Sequence, residues 1–191
     1  IHDRGDVTTS FESNSLNEGL IDLLGELARL SAGDFDNQGL VRGAGTIEFL
    51  SFTNSVEGEV RVREGDRMVF NSDFGDIDNH GTFYSDGGVF DLPNIGNVTI
   101  SGDGPPDEEE DGTPEGHLIL LNGAEFNLQE GRLDNEGQVS LEDSVLRAEQ
   151  FSTHLGGVAT FTGTENKVFG ATFLDEDATF TVSSNTTVKF F

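Results

Sequence analysis

Residues 35–49 read FDNQGLVRGAGTIEF, in which an apolar residue, Asp and Asn lead through a glycine into two short alternating segments. The same five-residue corner returns as Ile77–Gly81 (IDNHG) and as Leu133–Gly137 (LDNEG). Residues Phe52–Asn54, followed by Gly58, form a fourth copy that carries a small insertion. Self-similarity of this kind within one chain indicates a structural repeat.

The residues after each corner alternate between apolar and polar side chains, which is typical of a short strand with one buried face. Gly58, for example, is followed by Val60 and Val62, then by a turn, then by Met68 and Phe70. The corner glycines at positions 39, 58 and 81 are 19 and 23 residues apart, a spacing expected for one solenoid coil. The sequence therefore predicts an all-β fold, a parallel β-helix (β-solenoid) of roughly seven to nine coils.

Stacked coils place equivalent corner residues above one another, so an Asn at each corner can hydrogen-bond its neighbours along the axis. We expect Gly39, Gly81 and Gly137 to occupy positions that need a positive φ. The corner positions predicted in this way are Asn37, Gly39, Asn54, Gly58, Asn79, Gly81, Asn135 and Gly137.

Residues 15–33 show a different pattern, with leucines at helical spacing. Ser15 and Glu18 form a capping box at the start of this stretch, and Gly33 follows its last apolar residue. The pattern predicts an N-terminal amphipathic helix that caps the first coil. The predicted organisation is an extended segment over 1–14, a capping helix over 15–33 and a solenoid over 34–191. The leucines that form the stripe are Leu16, Leu20, Leu23, Leu24, Leu27 and Leu30.

The corner sequence with its second glycine, as in residues 35–49, resembles the degenerate repeats of bacterial secreted β-helix proteins. Those proteins include autotransporter passengers and filamentous-haemagglutinin-like adhesins. The resemblance covers about residues 34–191 and implies a right-handed parallel β-helix with an amphipathic helix over its first coil. It also implies an extracellular or cell-surface location after removal of a signal peptide.

The charge of the chain excludes several classes of partner. There are 36 acidic and 10 basic residues, which give a formal net charge of −26. Such a surface repels nucleic acid and anionic lipid head groups. No stretch approaches the roughly 18–20 apolar residues of a membrane span. We therefore expect neither nucleic-acid binding nor membrane insertion, and since no histidine lies by a nucleophile elbow, we expect no catalysis.

Residues 101–117 (SGDGPPDEEEDGTPEGH) contain no strong apolar residue and interrupt the strand pattern, which predicts an exposed loop. Three acids of this loop have the spacing that opens an EF-hand, yet Leu118 stands where a bidentate Glu should close the site. The loop is therefore either a calcium site or a solvated acidic segment. The candidate calcium ligands are Asp107, Glu109 and Asp111.

Residues 71–81 (NSDFGDIDNHG) contain a second acidic cluster, and three arginines precede this cluster by about one coil. Enzymes that cleave polysaccharides on this fold use outward carboxylates with arginine or lysine, whereas outward charges that pair between coils give the same pattern. Both interpretations stay open. The residues concerned are Asp73, Asp76, Asp78, Arg61, Arg63 and Arg67.

The C-terminal stretch TFTVSSNTTVKFF (179–191) is strand-forming, apolar and almost uncharged, and nothing in its sequence caps it. Solenoid ends expose unpaired strand edges, which need a cover or serve as a template for assembly. The residues predicted to form an assembly surface are Thr179, Phe180, Val182, Val188, Phe190 and Phe191.

The leading hypothesis is an extracellular structural or adhesive protein that assembles with itself, head to tail, into a fibre or surface appendage. The alternative is a polysaccharide-binding or polysaccharide-cleaving β-helix module, although Tyr84 is the only Tyr and Trp is absent. Two variants of the first hypothesis stay open: strand donation by residues 1–13, and a solenoid that belongs to a larger adhesin.

Overall fold

The computed structural model describes residues 2–3, 8–10, 14–72, 75–102 and 116–191, and the regular structure in these ranges consists of β-strands. In chain order the strands are β1 (His2–Asp3), β2 (Thr8–Ser10), β3 (Ser15–Asn17), β4 (Leu20–Ser31), β5 (Asp34–Asn37), β6 (Leu40–Glu48), β7 (Ser51–Asn54), β8 (Glu59–Arg63), β9 (Arg67–Asn71), β10 (Ile77–Asn79), β11 (Thr82–Asp86), β12 (Val89–Asp91), β13 (Asn97–Ile100), β14 (His117–Leu121), β15 (Glu125–Asn135), β16 (Gln138–Glu142), β17 (Val145–Thr153), β18 (Val158–Thr162), β19 (Glu165–Leu174), β20 (Thr179–Val182) and β21 (Thr187–Phe190).

Each coil passes through three strand segments, and equivalent segments of successive coils pair in parallel to form three stacks. The fourth coil shows the order plainly, with β8 in the first stack, β9 in the second and β10 in the third. Elsewhere two segments join into one strand, as in β4, which covers the first two stacks. The described residues form about eight coils, and the predicted parallel β-solenoid is confirmed.

The corner asparagines lie above one another at the end of the third stack. Asn17, Asn37, Asn54 and Asn79 are register partners in successive coils. The Nδ2 groups of Asn17, Asn37 and Asn54 each donate a 2.7 Å hydrogen bond to the Oδ1 atom of the next asparagine. These buried amides satisfy one another, and the resulting ladder ties four coils together along the axis.

The ladder stops at the fifth coil, where Ile100 takes the position between Asn79 and Asn135. An isoleucine cannot donate a hydrogen bond. As a result, the buried Oδ1 atom of Asn135 has no hydrogen-bond partner in the described part of the chain.

The corner glycines are required for a reason other than the one predicted. None of Gly39, Gly81 and Gly137 has a φ in the left-handed range, so the expectation of positive φ is wrong. A Cβ atom on Gly81 would instead lie 2.2 Å from the carbonyl oxygen of Gly58, one coil away. Glycine is needed here because the backbones of adjacent coils approach too closely to admit any side chain.

The core runs along the axis between the three stacks and is rich in phenylalanine. Phe52, Phe70, Phe83 and Phe90 are almost completely buried, and their ring centroids are 5.2–5.5 Å apart in sequence order. These rings come from all three stacks, so the aromatic contacts connect the faces of the solenoid as well as its coils.

The predicted capping helix is wrong, because residues 15–17 form the strand β3 and residues 20–31 form the strand β4. Within β4, Ile21 and Leu23 point inward before a register shift, and Ala28 and Leu30 do so after it. Because the inward-facing and outward-facing leucines lie on either side of this shift, their combined spacing in the sequence matches that of a helix. Pairing with β1 and β2 on one side and β6 on the other satisfies the strand backbone and outweighs the helix propensity of leucine. The solenoid consequently begins before residue 34. The outward-facing leucines are Leu16, Leu20, Leu24 and Leu27.

The acidic insertion leaves and rejoins the solenoid at one corner, between β13 and β14. The Gly116 N–H group donates a 2.8 Å hydrogen bond to the Ser101 carbonyl oxygen, so the two ends of the insertion meet. The described residues include no helix that is long and apolar enough to span a membrane.

Candidate assembly surface at the C-terminal end

Strands β20 and β21 form the last edge of the solenoid in the described chain. Strand β20 pairs with β18 and strand β21 pairs with β19, each on one side only. Residues 171–174 of β19 likewise pair only with β17. The opposite edge of each segment therefore presents backbone N–H and C=O groups that can pair with another parallel strand.

Apolar side chains of these strands point along the end of the core without a further coil over them. Phe180 and Val188 are half-buried and pack against the core. Val182 and Phe190 have 44% and 50% of their surface exposed, although their register partners Phe161 and Val168 in the preceding coil are buried. Phe191, which follows Phe190, is 63% exposed. This contrast defines what we call the C-terminal face, whose predicted members also include the exposed Thr179.

A column of stacked side chains reaches the C-terminal face along the outside of the second stack. The guanidinium of Arg147 lies 3.9 Å above the ring of Phe169. That ring stacks on Phe191 with a centroid distance of 4.7 Å and an interplanar angle of 14°. The exposed side of Phe191 can accept one more planar group from a neighbouring coil.

The only two lysines of the chain converge on one carboxylate beside this column. Glu165 pairs with Lys189 and, at 3.3 Å, with Lys167. These hydrogen bonds hold the pKa of Glu165 below its ordinary value. Lys167 and Lys189 are direct register partners, so the carboxylate also offsets the repulsion between two stacked ammonium groups.

Two further polar contacts fasten the last coils to one another. The Asp143 carboxylate accepts hydrogen bonds from the backbone N–H groups of Glu165 and Thr164, which lowers its pKa. His154 contacts Asp175 through Nδ1 at 3.0 Å and Asp134 through Nε2 at 3.2 Å. One imidazole ring therefore bridges carboxylates from neighbouring coils.

Burial on its own lowers the pKa of His154, but its hydrogen bonds with Asp175 and Asp134 outweigh that effect, together with the charges of the two carboxylates. The pKa of His154 consequently lies above its ordinary value.

The structure does not bring the second acidic cluster and the arginines together. Asp78 lies on the outside of the third stack, where it accepts a hydrogen bond from the Ser101 hydroxyl. Arg61 and Arg63 lie on the first stack, and Arg67 begins the second stack and pairs with Asp91. Asp76 is exposed at a corner, and Asp73 lies outside the described residues.

The candidate calcium ligands Asp107, Glu109 and Asp111 also lie outside the described residues. The ranges that are described contain no group of three or more acidic, histidine or cysteine side chains arranged to hold a metal ion. Most of the segment 1–13 considered for strand donation is outside the described ranges as well, and its described parts are the paired strands β1 and β2.

Sequence reasoning missed three members of the C-terminal end. Phe173 and Leu174 are half-exposed at its edge, and Phe169 forms the middle of the stacked column. The alternation of these residues with inward-facing ones could be read from the sequence. Their exposure could not, because it arises only where no further coil covers the strand.

Comparison with protein-family models, curated proteins and solved structures finds no match to this chain.

Proposed function

We propose that this chain is a non-catalytic structural or adhesive protein that stacks head to tail with other copies of itself into a fibre or surface appendage. The observation that carries the proposal is the C-terminal face, where unpaired strand edges coincide with exposed apolar side chains. A parallel strand from a second copy would pair with the free backbone groups of these edges and would cover the exposed apolar side chains.

The fold supports head-to-tail stacking because successive coils pair in the same parallel way along the axis. A solenoid coil contacts only its neighbours, so one more coil from another subunit meets the same environment as an internal coil. The contacts between subunits would be heterologous, since one end of a copy meets the opposite end of the next, and such contacts form open fibres.

We place the assembly outside the cell or at its surface, on a right-handed solenoid like those of the adhesins that the repeats resemble. The net charge of −26 and the small number of lysines are compatible with a saline extracellular setting.

The test is assembly of purified protein as its concentration is raised, with and without calcium, followed by negative-stain microscopy and sedimentation velocity. The end variant combines Val182→Thr with Phe190→Gln, which keeps the strands but removes exposed apolar surface. A matched control combines Val56→Thr with Leu50→Gln, since these exposed apolar residues lie at corners of the third coil, away from the C-terminal face and from the first coil.

We expect rods that lengthen with concentration for the unmodified protein and the control, and monomers for the end variant. Monodisperse monomers of the unmodified protein at every concentration would overturn the proposal. Assembly of the end variant to the same length as the control would also overturn it.

A further inference from the structure

An open groove of about 490 Å³ lies on the outside of the first stack, across coils two to four. Its floor is backbone at Gly43 and Ala44, and its charged walls include Arg42, Arg61 and Arg63. We call it the arginine groove. It lies apart from the C-terminal face, and a groove of this volume is large enough for a small ligand.

The groove exists because the fourth coil has a longer corner than the third. Arg42 pairs with Arg61, and Gly45 pairs with Met68. Between these pairs the third coil has residues 43–44 only, whereas the fourth has residues 62–67. The extra residues form a turn above a tightly packed floor, since a Cβ atom on Gly43 would lie 2.1 Å from the Leu23 carbonyl oxygen.

Two of the arginines in the groove are already paired. Arg42 holds Asp22 through Nε and a terminal nitrogen, at 3.1 and 2.9 Å. Arg61 binds Glu59 and lies 5.2 Å from the centre of the Tyr84 ring. These contacts fix the walls of the groove, and Tyr84 lines an adjoining cavity that shares Arg61 and Arg63 with it.

Arg63 and Asp66 are different, because neither side chain makes an ion pair or hydrogen bond within the described ranges. Both line the groove, so one free guanidinium and one free carboxylate face the same space. The ion pairs Arg42–Asp22 and Arg61–Glu59 neutralise the charges of their members, so Arg63 and Asp66 are the charged groups of this lining that remain for a ligand.

The chemistry of these groups defines the ligand. A guanidinium binds a carboxylate through two parallel hydrogen bonds. An aspartate accepts hydrogen bonds and so suits a hydroxyl group, and a tyrosine ring covers an apolar face. A sugar acid offers all three features, whereas an acidic peptide lacks the row of hydroxyl groups. The strongly negative chain disfavours a polymer with a charge on every unit.

We propose that the arginine groove binds an oligosaccharide in which uronic acid residues alternate with neutral sugars, with Arg63 on the carboxylate and Asp66 on a hydroxyl. The site would give the rod a means of attachment to acidic glycan, which goes beyond assembly of the rod itself.

The test uses calorimetric titration of the full chain with a tetrasaccharide of alternating glucuronate and neutral sugar. Arg63→Gln removes the free guanidinium, and Arg132→Gln is the matched control, since Arg132 is an exposed arginine on the third stack. We expect the first variant to weaken binding by about tenfold or more, as loss of a charge-assisted hydrogen bond does, and the control to bind within about twofold of the unmodified protein.

Two comparison ligands decide the chemistry: the same tetrasaccharide with its carboxyl groups reduced to alcohols, and a tetraglutamate peptide. Weaker binding of both would support a site for acidic glycan. The proposal is overturned if the tetrasaccharide does not bind at millimolar concentration, if the reduced form binds equally well, or if the peptide binds more tightly. Equal weakening by Arg63→Gln and Arg132→Gln would show a general charge effect and would also overturn it.

Discussion

The corner glycines set how closely two coils can lie. Gly81 faces the Gly58 carbonyl oxygen of the preceding coil, where no side chain fits, whereas an added Cβ on Gly19 would meet nothing within 4 Å. Both residues are the glycine of an Asn-x-Gly sequence, so comparing them separates steric contact between coils from local turn preference.

We expect Gly81→Ala to lower the free energy of unfolding by about 1–3 kcal/mol or more, because the coils must move apart. Gly19→Ala should change it by no more than about 0.5 kcal/mol, as substitutions without contacts do. Urea unfolding of the two variants measures the difference. Equal losses would show that the glycines serve the local turn and not the spacing of coils.

The asparagine ladder makes a second prediction about a single position. Ile100→Asn would place an amide where the Asn79 amide can donate to it and where it can donate to the orphaned Oδ1 atom of Asn135. Ile77→Asn is the control, because Ile77 is equally buried but has Phe52 and Val98 as its register partners.

Burying an asparagine in place of isoleucine normally costs several kcal/mol, about 2–5 for the lost packing alone. Each hydrogen bond gained returns about 0.5–1.5 kcal/mol. We therefore expect Ile100→Asn to destabilise the protein less than Ile77→Asn by about 1–3 kcal/mol in chemical unfolding. A larger loss at Ile100 than at Ile77 would contradict the ladder.

The corner motif predicted the fold because its Asn and Gly residues make contacts that recur between successive coils. Asn37, Asn54 and Asn79 stack as expected, and Asn17 with Gly19 was a further copy of the Asn-x-Gly signal that the leucine stripe concealed. The reason for the glycines could not be read from sequence, since the distance between two coils is a property of their packing.

The segment that forms β4 has a leucine-rich composition that favours a helix, yet it forms a strand. Its leucines suit a helix in isolation, yet the strand is paired along both edges and lies within a continuous stack. Helix propensity differs by less than about 1 kcal/mol per residue between common residue types, so pairing and burial can override it. The N-terminal coil is therefore part of the solenoid and not a separate cap.

The bridge through His154 makes the last coils sensitive to pH. The folded state binds the imidazole proton more tightly than the unfolded chain does, because the pKa of His154 is raised in the structure. Its contribution to stability is therefore complete below the unfolded pKa of about 6.5 and is lost as pH rises through the higher folded value.

We expect backbone amides of β17 and β19 to lose hydrogen-exchange protection as the pH rises above about 6.5, after correction for the intrinsic exchange rate. His154→Gln should abolish this change, and His80→Gln should retain it, because the His80 ring bonds to Asp78 in an earlier coil, away from β17 and β19. A pH dependence that survives in His154→Gln would show that another group controls these coils.

The molecule as a whole combines an apolar axis with a strongly acidic outside. About eight coils at a spacing of about 4.8 Å give the described solenoid a length of about 40 Å. The exposed apolar strands of the C-terminal face were predictable from residues 179–191, a strand-forming sequence with Lys189 as its one charged side chain. The arginine groove was not, because its residues come from three coils and meet only through the register of the first stack.

Parallel stacking in this register is the central claim, and cysteine pairs test it directly because the chain contains no cysteine. Ser140 and Thr160 are register partners on the outside of the first stack, whereas Thr162 is the partner of Glu142. Partners in adjacent strands lie close enough for a disulfide, but residues displaced by two positions are more than about 7 Å apart.

The measurement is the fraction of monomer that forms an intramolecular disulfide under mild oxidation. The account predicts nearly complete bond formation for Ser140→Cys with Thr160→Cys and little for Ser140→Cys with Thr162→Cys. Equal bond formation in the two variants, or a preference for the displaced pair, would contradict the parallel solenoid.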